Sequence, residues 1–110
     1  MIILDMNVFN MLKESLGADF IPVLMDSFFE DAEIQMEQMR SALETEDAET
    51  FRRAAHSLKS NAATFGAGEL SALARELERL GRDQNLEVGN RLELLQDAFE
   101  QVKQILNELR

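Results

Sequence analysis

Through most of this chain apolar residues recur four and three positions apart, and that spacing belongs to helices. One stretch places Phe51, Ala55, Leu58, Ala62 and Phe65 on a single line. Another does so with Leu70, Leu73, Ala74, Leu77 and Leu80, and a third with Val88, Leu92, Leu95, Phe99, Val102, Leu106 and Leu109. Ile21, Leu24, Met25, Phe28, Ala32, Met36, Met39 and Leu43 draw a fourth. A helix turns once in about 3.6 residues, so each set is one face. Each face is wider than a two-stranded seam and suits the core of a bundle. The methionines in these lines read as adaptable core filling.

The breaks between the stripes carry helix punctuation. Gly17 suits the C-terminal cap of a short first helix running from about Asp5 to Leu16. Asp19 reads as the N-cap of the next helix, with Pro22 in its first turn, where a missing N–H costs little. Thr45-Glu46-Asp47 marks a turn and another N-cap, Gly66-Ala67-Gly68 a break, and Gly81 an end. Short connections force successive helices to run in opposite directions. The expected fold is therefore all-α: an antiparallel up-down four-helix bundle, with a short additional N-terminal helix capping one end. Residues 1–110 are expected to form a single domain, since 110 residues supply one core and contain no low-complexity linker.

Composition removes several function classes. With no cysteine, disulfides and thiolate chemistry are excluded, and a single histidine argues against the usual zinc or di-iron bundle sites. A net charge of −10 opposes nucleic acid and anionic lipid, whose phosphates would repel such a surface. No apolar run approaches a membrane span, and the start Met1-Ile2-Ile3-Leu4-Asp5 lacks a basic leader, so a reducing, cytoplasmic setting is expected. No Walker-type or glycine-rich kinase motif is present, so no ATP site of its own is expected. The positive charges are less evenly spread. Arg52, Arg53, Lys59, Arg75, Arg79 and Arg82, more than half of the 11 basic residues, lie in one segment.

The lone histidine, His56, falls in the helix of the Phe51–Phe65 stripe, the third helix along the chain. At about 100° per residue it points about 140° from the apolar axis, toward solvent. Lys59 follows one turn later, about 60° round the helix. Ser60 and Ala63 line the strip above the imidazole, small enough for a partner's surface to approach the ring. A single exposed histidine is more often a surface residue without a role, and Lys59 alone a solvated lysine. Together they are what a transferable phosphoryl group requires. Neutral imidazole is a competent nucleophile near pH 7, and an ammonium beside it offsets the incoming negative charge.

The surrounding residues resemble a known family. His56-Ser57-Leu58-Lys59-Ser60-Asn61-Ala62 is similar to the core motif of histidine-containing phosphotransfer (HPt) domains. Arg53-Ala54-Ala55 before it, Phe65-Gly66-Ala67 after it, and Leu77-Glu78 with Gly81-Arg82 continue the likeness. So do Asp47 and, in the second helix, Phe28-Phe29 with Asp31. The resemblance implies that Nε2 of His56 takes a phosphoryl group from a receiver-domain phospho-aspartate and passes it to another receiver's aspartate. Lys59 would help hold that group, and Mg²⁺ would reside in the receiver. The family often has Gly directly after the lysine. Ser60 stands there instead, nearly as small and bearing a hydroxyl that can reach a phosphate oxygen. Arg82 and Glu78 resemble positions that face the phosphorylation site in some members, although an ordinary exposed salt-bridge pattern explains Glu78 equally well.

The expected partners are receiver domains. Arg52, Arg53, Ser60, Ala63, Arg79 and Arg82 are the docking candidates, the basic ones forming a rim around His56. The protein is expected to be a monomer and a carrier rather than an enzyme, either free-standing or a module of a membrane-anchored hybrid sensor kinase. Two alternatives compete. A dimeric phosphoacceptor segment of a sensor kinase would have a proline soon after the histidine and would build its bundle from two chains. A purely structural helical adaptor would have no need of His56.

Overall fold

The computed structural model describes residues 2–110; Met1, at the head of the segment read as lacking a leader, lies outside the described residues. The elements, in order, are α1 (Met6–Leu16), α2 (Ile21–Glu44), α3 (Ala48–Phe65), α4 (Gly68–Arg82) and α5 (Arg91–Glu108). Helix α2 packs on α3, α3 on α4 and α4 on α5, and α2 meets α5 to close the ring. One chain thus completes the up-down four-helix bundle. Among the described residues no helix is long and apolar enough to cross a membrane.

The stripes become the core. Phe51, Ala55, Leu58, Ala62 and Phe65 of α3 are all buried, as are Met25, Met36 and Met39 of α2. Phe28 stacks on Phe65 with ring centroids 4.9 Å apart and meets Phe99 of α5 edge-on at 6.1 Å, so three helices share one aromatic cluster. Helix α1 sits against α3 at one end of the bundle, where Phe9 is buried. Asp5 N–H donates to the Gly66 carbonyl at 2.8 Å, and Glu69 N–H donates to the Ile2 carbonyl at 2.9 Å. Gly66 has φ +82°, and a Cβ there would lie 2.8 Å from the Asp5 carbonyl oxygen. Glycine is therefore required both by the left-handed turn that ends α3 and by the approach of the N-terminal segment.

Caps follow local chemistry with some corrections. Asp47 caps α3 as expected: its side chain accepts from Thr50 N–H at 3.1 Å and from the Thr50 hydroxyl at 2.6 Å. Asp5 caps α1 in the same way. Asp19, expected to cap α2, does not. It lies in a turn, Phe20 occupies the N-cap position without a side-chain bond, and Pro22 provides the helical start. Helix α4 ends at Arg82, next to Gly81 as expected. Helix α5 begins at Arg91, not at Val88. Val88 is nevertheless buried, because the connecting segment 83–90 folds it back over the core. Leu109, the last residue of that stripe, is exposed beyond the helix end.

Candidate functional site

The two helices that meet most extensively, α3 and α4, carry the site. Their approach is set by small residues. A Cβ on Gly81 would lie 3.1 Å from the Cα and N of Arg52, so α4 touches the backbone of α3 one turn before His56. One turn after His56, the Ser71 hydroxyl donates to the Lys59 carbonyl at 3.2 Å. Between these two fastenings Glu78 turns its carboxylate onto α3, while the carboxylate of Glu76 pairs with Arg91.

Helical geometry placed His56 toward solvent, and the side chain is 54% exposed. One edge is held: Nδ1 lies 2.7 Å from Oε2 of Glu78. The other oxygen, Oε1, accepts from Lys59 Nζ at 2.6 Å. Arg82, one turn along α4, brings a guanidinium nitrogen to 3.5 Å from Oε2. The Glu78 side chain itself is only 4% exposed. The surface salt-bridge reading of Glu78 is therefore corrected: it is a buried carboxylate joining His56, Lys59 and Arg82. Burial acts to raise its pKa, while the hydrogen bonds from Lys59 and His56 act to lower it, and the net direction is down. Glu78 is thus ionised at neutral pH and has no proton to give. Nδ1 of His56 must be the donor of their shared hydrogen bond. Nε2 makes no hydrogen bond among the described residues.

Lys59 does not stand free beside the ring. Its ammonium is tied to Glu78, and its side chain is about half as exposed as that of His56. Ser60 and Ala63 are exposed on α3 as expected. Among the described residues no group of three or more His, Cys, Asp or Glu side chains is placed to hold a metal ion.

This arrangement can present one nucleophilic ring nitrogen to solvent with cationic groups close by. A family model, the Hpt domain, matches residues 23–110. The chain belongs to the Hpt domain family. It is also similar to the crystal structure of histidine-containing phosphotransfer protein B from Pseudomonas aeruginosa PAO1. The TM-score is 0.88 and the identity 30%, covering 96% of this chain and 92% of that one. The phosphorelay protein LuxU of Vibrio vulnificus (strain YJ016) is 29% identical over 94 residues, 86% of this chain and 77% of its own length. LuxU of Vibrio cholerae is 29% identical over 96 residues, 83% of this chain and 85% of its own length. This Hpt domain is accordingly a histidine phosphotransfer module of a phosphorelay, a carrier rather than a kinase. The family model begins inside α2 and so does not itself cover α1.

The arginines of the expected basic rim are distributed around the site, but none is an isolated charge. Arg52 donates twice to Glu49, at 2.6 and 3.2 Å. Arg53 lies 3.8 Å from the same carboxylate, and Arg79 lies 3.9 Å from Asp83. Arg53, Arg79 and Arg82 are all exposed, and Arg53 and Arg79 are the more loosely paired of the four. Beside them the Hpt domain has a feature that lies off the apolar stripes. A cleft between α2 and α3 is lined by Asp31, Ile34, Gln35, Arg53, Ala54 and Ser57, the last adjacent to His56. Ile34 is 50% exposed there, and the Oε1 of Gln35 is buried without a partner among the described residues. Ile34 falls off the core line of α2, so an apolar residue at that position was the available signal.

Proposed function

We propose that His56 is the phosphoryl acceptor, with Nε2 forming the bond. The observation that carries this is the His56–Glu78 hydrogen bond, which occupies Nδ1 and leaves Nε2 toward solvent. His56 is also the sole histidine of a histidine phosphotransfer module. Lys59 stabilises the phosphoryl group as it arrives, since its ammonium sits on the same carboxylate as the ring. The partners are receiver domains. The phosphoryl group comes from a receiver phospho-aspartate and leaves to another receiver's aspartate, and the receiver supplies Mg²⁺ and most of the charge stabilisation.

A receiver would dock over the α2–α3 face. Ile34 offers an apolar centre, Arg53 and Arg79 charges around it, and Ser60 and Ala63 clearance above the ring. The buried acceptor on Gln35 would gain a donor from the partner. One chain closes its own bundle, which favours a monomer over the dimeric phosphoacceptor alternative.

The test is His56→Gln, incubated with a phosphorylated receiver. The expected result is loss of acid-labile label with the fold retained, stability changing by about 0.5 kcal/mol or less because the ring is largely exposed and the glutamine amide can take over its hydrogen bond to Glu78. Undiminished label on a well-folded variant would refute the assignment of His56, and a wild-type protein that takes no label would favour the adaptor reading.

A further inference from the structure

We infer that Asp31 and Gln35 form a subsite that accepts an arginine side chain of the docking receiver, and that this subsite selects among receivers. The inference rests on His56 being the acceptor and on a receiver being its partner. The cleft between α2 and α3 has a volume of about 400 Å³ and reaches Ser57, the residue after His56. Transfer brings a receiver's phospho-aspartate onto Nε2, so the receiver also covers the ground beside the ring.

The α2 wall of the cleft has acceptors and no donor to serve them. Oε1 of Gln35 is buried without a hydrogen-bond partner among the described residues. Asp31 lines the same cleft one turn earlier, exposed, and its carboxylate makes no ion pair or hydrogen bond among the described residues. Residues four apart on a helix share a face, with Cβ atoms about 6 Å apart, so the two acceptors stand one above the other. Arg53 is the basic residue lining the cleft, and its guanidinium is drawn toward Glu49, 3.8 Å away on its own helix.

A guanidinium fits this pair. It carries the charge that Asp31 has no partner for, and its rigid fork of five donors can serve both acceptors at once. Its aliphatic stem can lie along Ile34, which is 50% exposed in the cleft. A lysine ammonium is a point charge and would satisfy one acceptor at the expense of the other. The net charge of −10 draws a basic side chain toward this surface.

Such a subsite sets stability against docking. Methionine has nearly the length of glutamine and no amide. Gln35→Met removes an unpaired buried acceptor, so the free protein should become more stable. The same change takes a partner from the incoming arginine, so docking should weaken. A glutamine kept only for the fold would not move the two readouts in opposite directions.

The test uses a receiver domain whose phosphorylated form labels the wild-type protein, together with variants in which each of its surface arginines is changed singly to alanine. Single-turnover transfer against receiver concentration gives the half-saturating concentration and the limiting rate. Asp31→Asn and Gln35→Met should each raise the half-saturating concentration about tenfold, with the effect there rather than in the limiting rate. Gln35→Met should also raise the urea midpoint of the free protein. One receiver arginine should matter in wild type and lose its effect in Asp31→Asn, the coupling that a double-mutant cycle reads. Unchanged half-saturation in both variants overturns the inference. So does weakened docking to which no receiver arginine is coupled. A Gln35→Met protein less stable than wild type overturns it as well, because the acceptor is then bonded within the fold. Label that persists in His56→Gln, or a wild-type protein that takes none, would instead overturn the reading beneath it.

Discussion

Gly81 of α4 lies so close to Arg52 of α3 that a Cβ on it would come within 3.1 Å of the Arg52 N, Cα and Cβ. Those atoms are backbone or attached directly to it, so they cannot turn aside. Gly81 is buried in mid-contact, and it follows Glu78 by one turn of the same helix. The absence of a side chain at 81 is thus what lets the carboxylate at 78 reach His56.

Gly81→Ala should push α4 away from α3. Overpacking of this kind costs about 1–3 kcal/mol, offset in part by the better helix propensity of alanine. The imidazole ¹⁵N spectrum should shift, because the hydrogen bond from Nδ1 to Glu78 lengthens. Urea unfolding and the NMR spectrum measure the two effects. A variant with wild-type stability and an unshifted ring would show that the helix contact does not hold the site.

Lys59→Ala should slow phosphoryl acceptance without abolishing it, and Lys59→Arg should retain much of the rate. The alanine variant should also be less stable by about 1–3 kcal/mol, since it leaves a buried carboxylate oxygen without its donor. Single-turnover transfer from a phosphorylated receiver, together with urea unfolding, checks both. Equal rates for Lys59→Ala and wild type, where chemistry limits the rate, would return Lys59 to a structural role.

The lowered pKa of Glu78 makes a prediction about acid. A carboxyl group that titrates lower in the folded than in the unfolded protein contributes stability above its unfolded value. That contribution is lost as pH falls through the unfolded value to the folded one. Wild type should therefore exceed Glu78→Gln in stability near neutrality, and the gap should close as acid protonates Glu78. Unfolding curves of both proteins across the acid range measure it. A gap that stays constant with pH would show that Glu78 gains nothing from its charged partners.

Charge at the rim should govern encounter more than chemistry. Arg53→Ala and Arg79→Ala should lower the rate of receiver association and weaken its dependence on ionic strength. Arg52→Ala should do so less, because Glu49 already engages its guanidinium at 2.6 and 3.2 Å. Arg82→Ala should also loosen the Glu78 cluster. Stopped-flow association against salt separates these cases. If none of the four alters the rate or its salt dependence, recognition rests on the apolar cleft and on shape.

Much of this protein was legible in order along the chain, because helical geometry is local. The spacing of Phe51, Ala55, Leu58, Ala62 and Phe65 determined that α3 is a helix and which way it faces. The same rotation sent His56 outward and put Lys59 a turn beyond it. Asp47 capped its helix because a cap requires only the next few residues. Asp19 failed where Asp47 succeeded, because Pro22 already set the start of α2 and the residues before it turned. Val88 continued the apolar line of α5 yet lies outside that helix, since burial alone satisfied it. The role of Glu78 was decided only by the tertiary structure. It is separated by 22 residues from His56 and by 19 from Lys59, and no periodicity links them. Whether its carboxylate met water or an imidazole depended on how α4 is rotated and how closely it approaches. That was set by Gly81 against Arg52 and by Ser71 on the carbonyl of Lys59, contacts that exist only once two helices have packed.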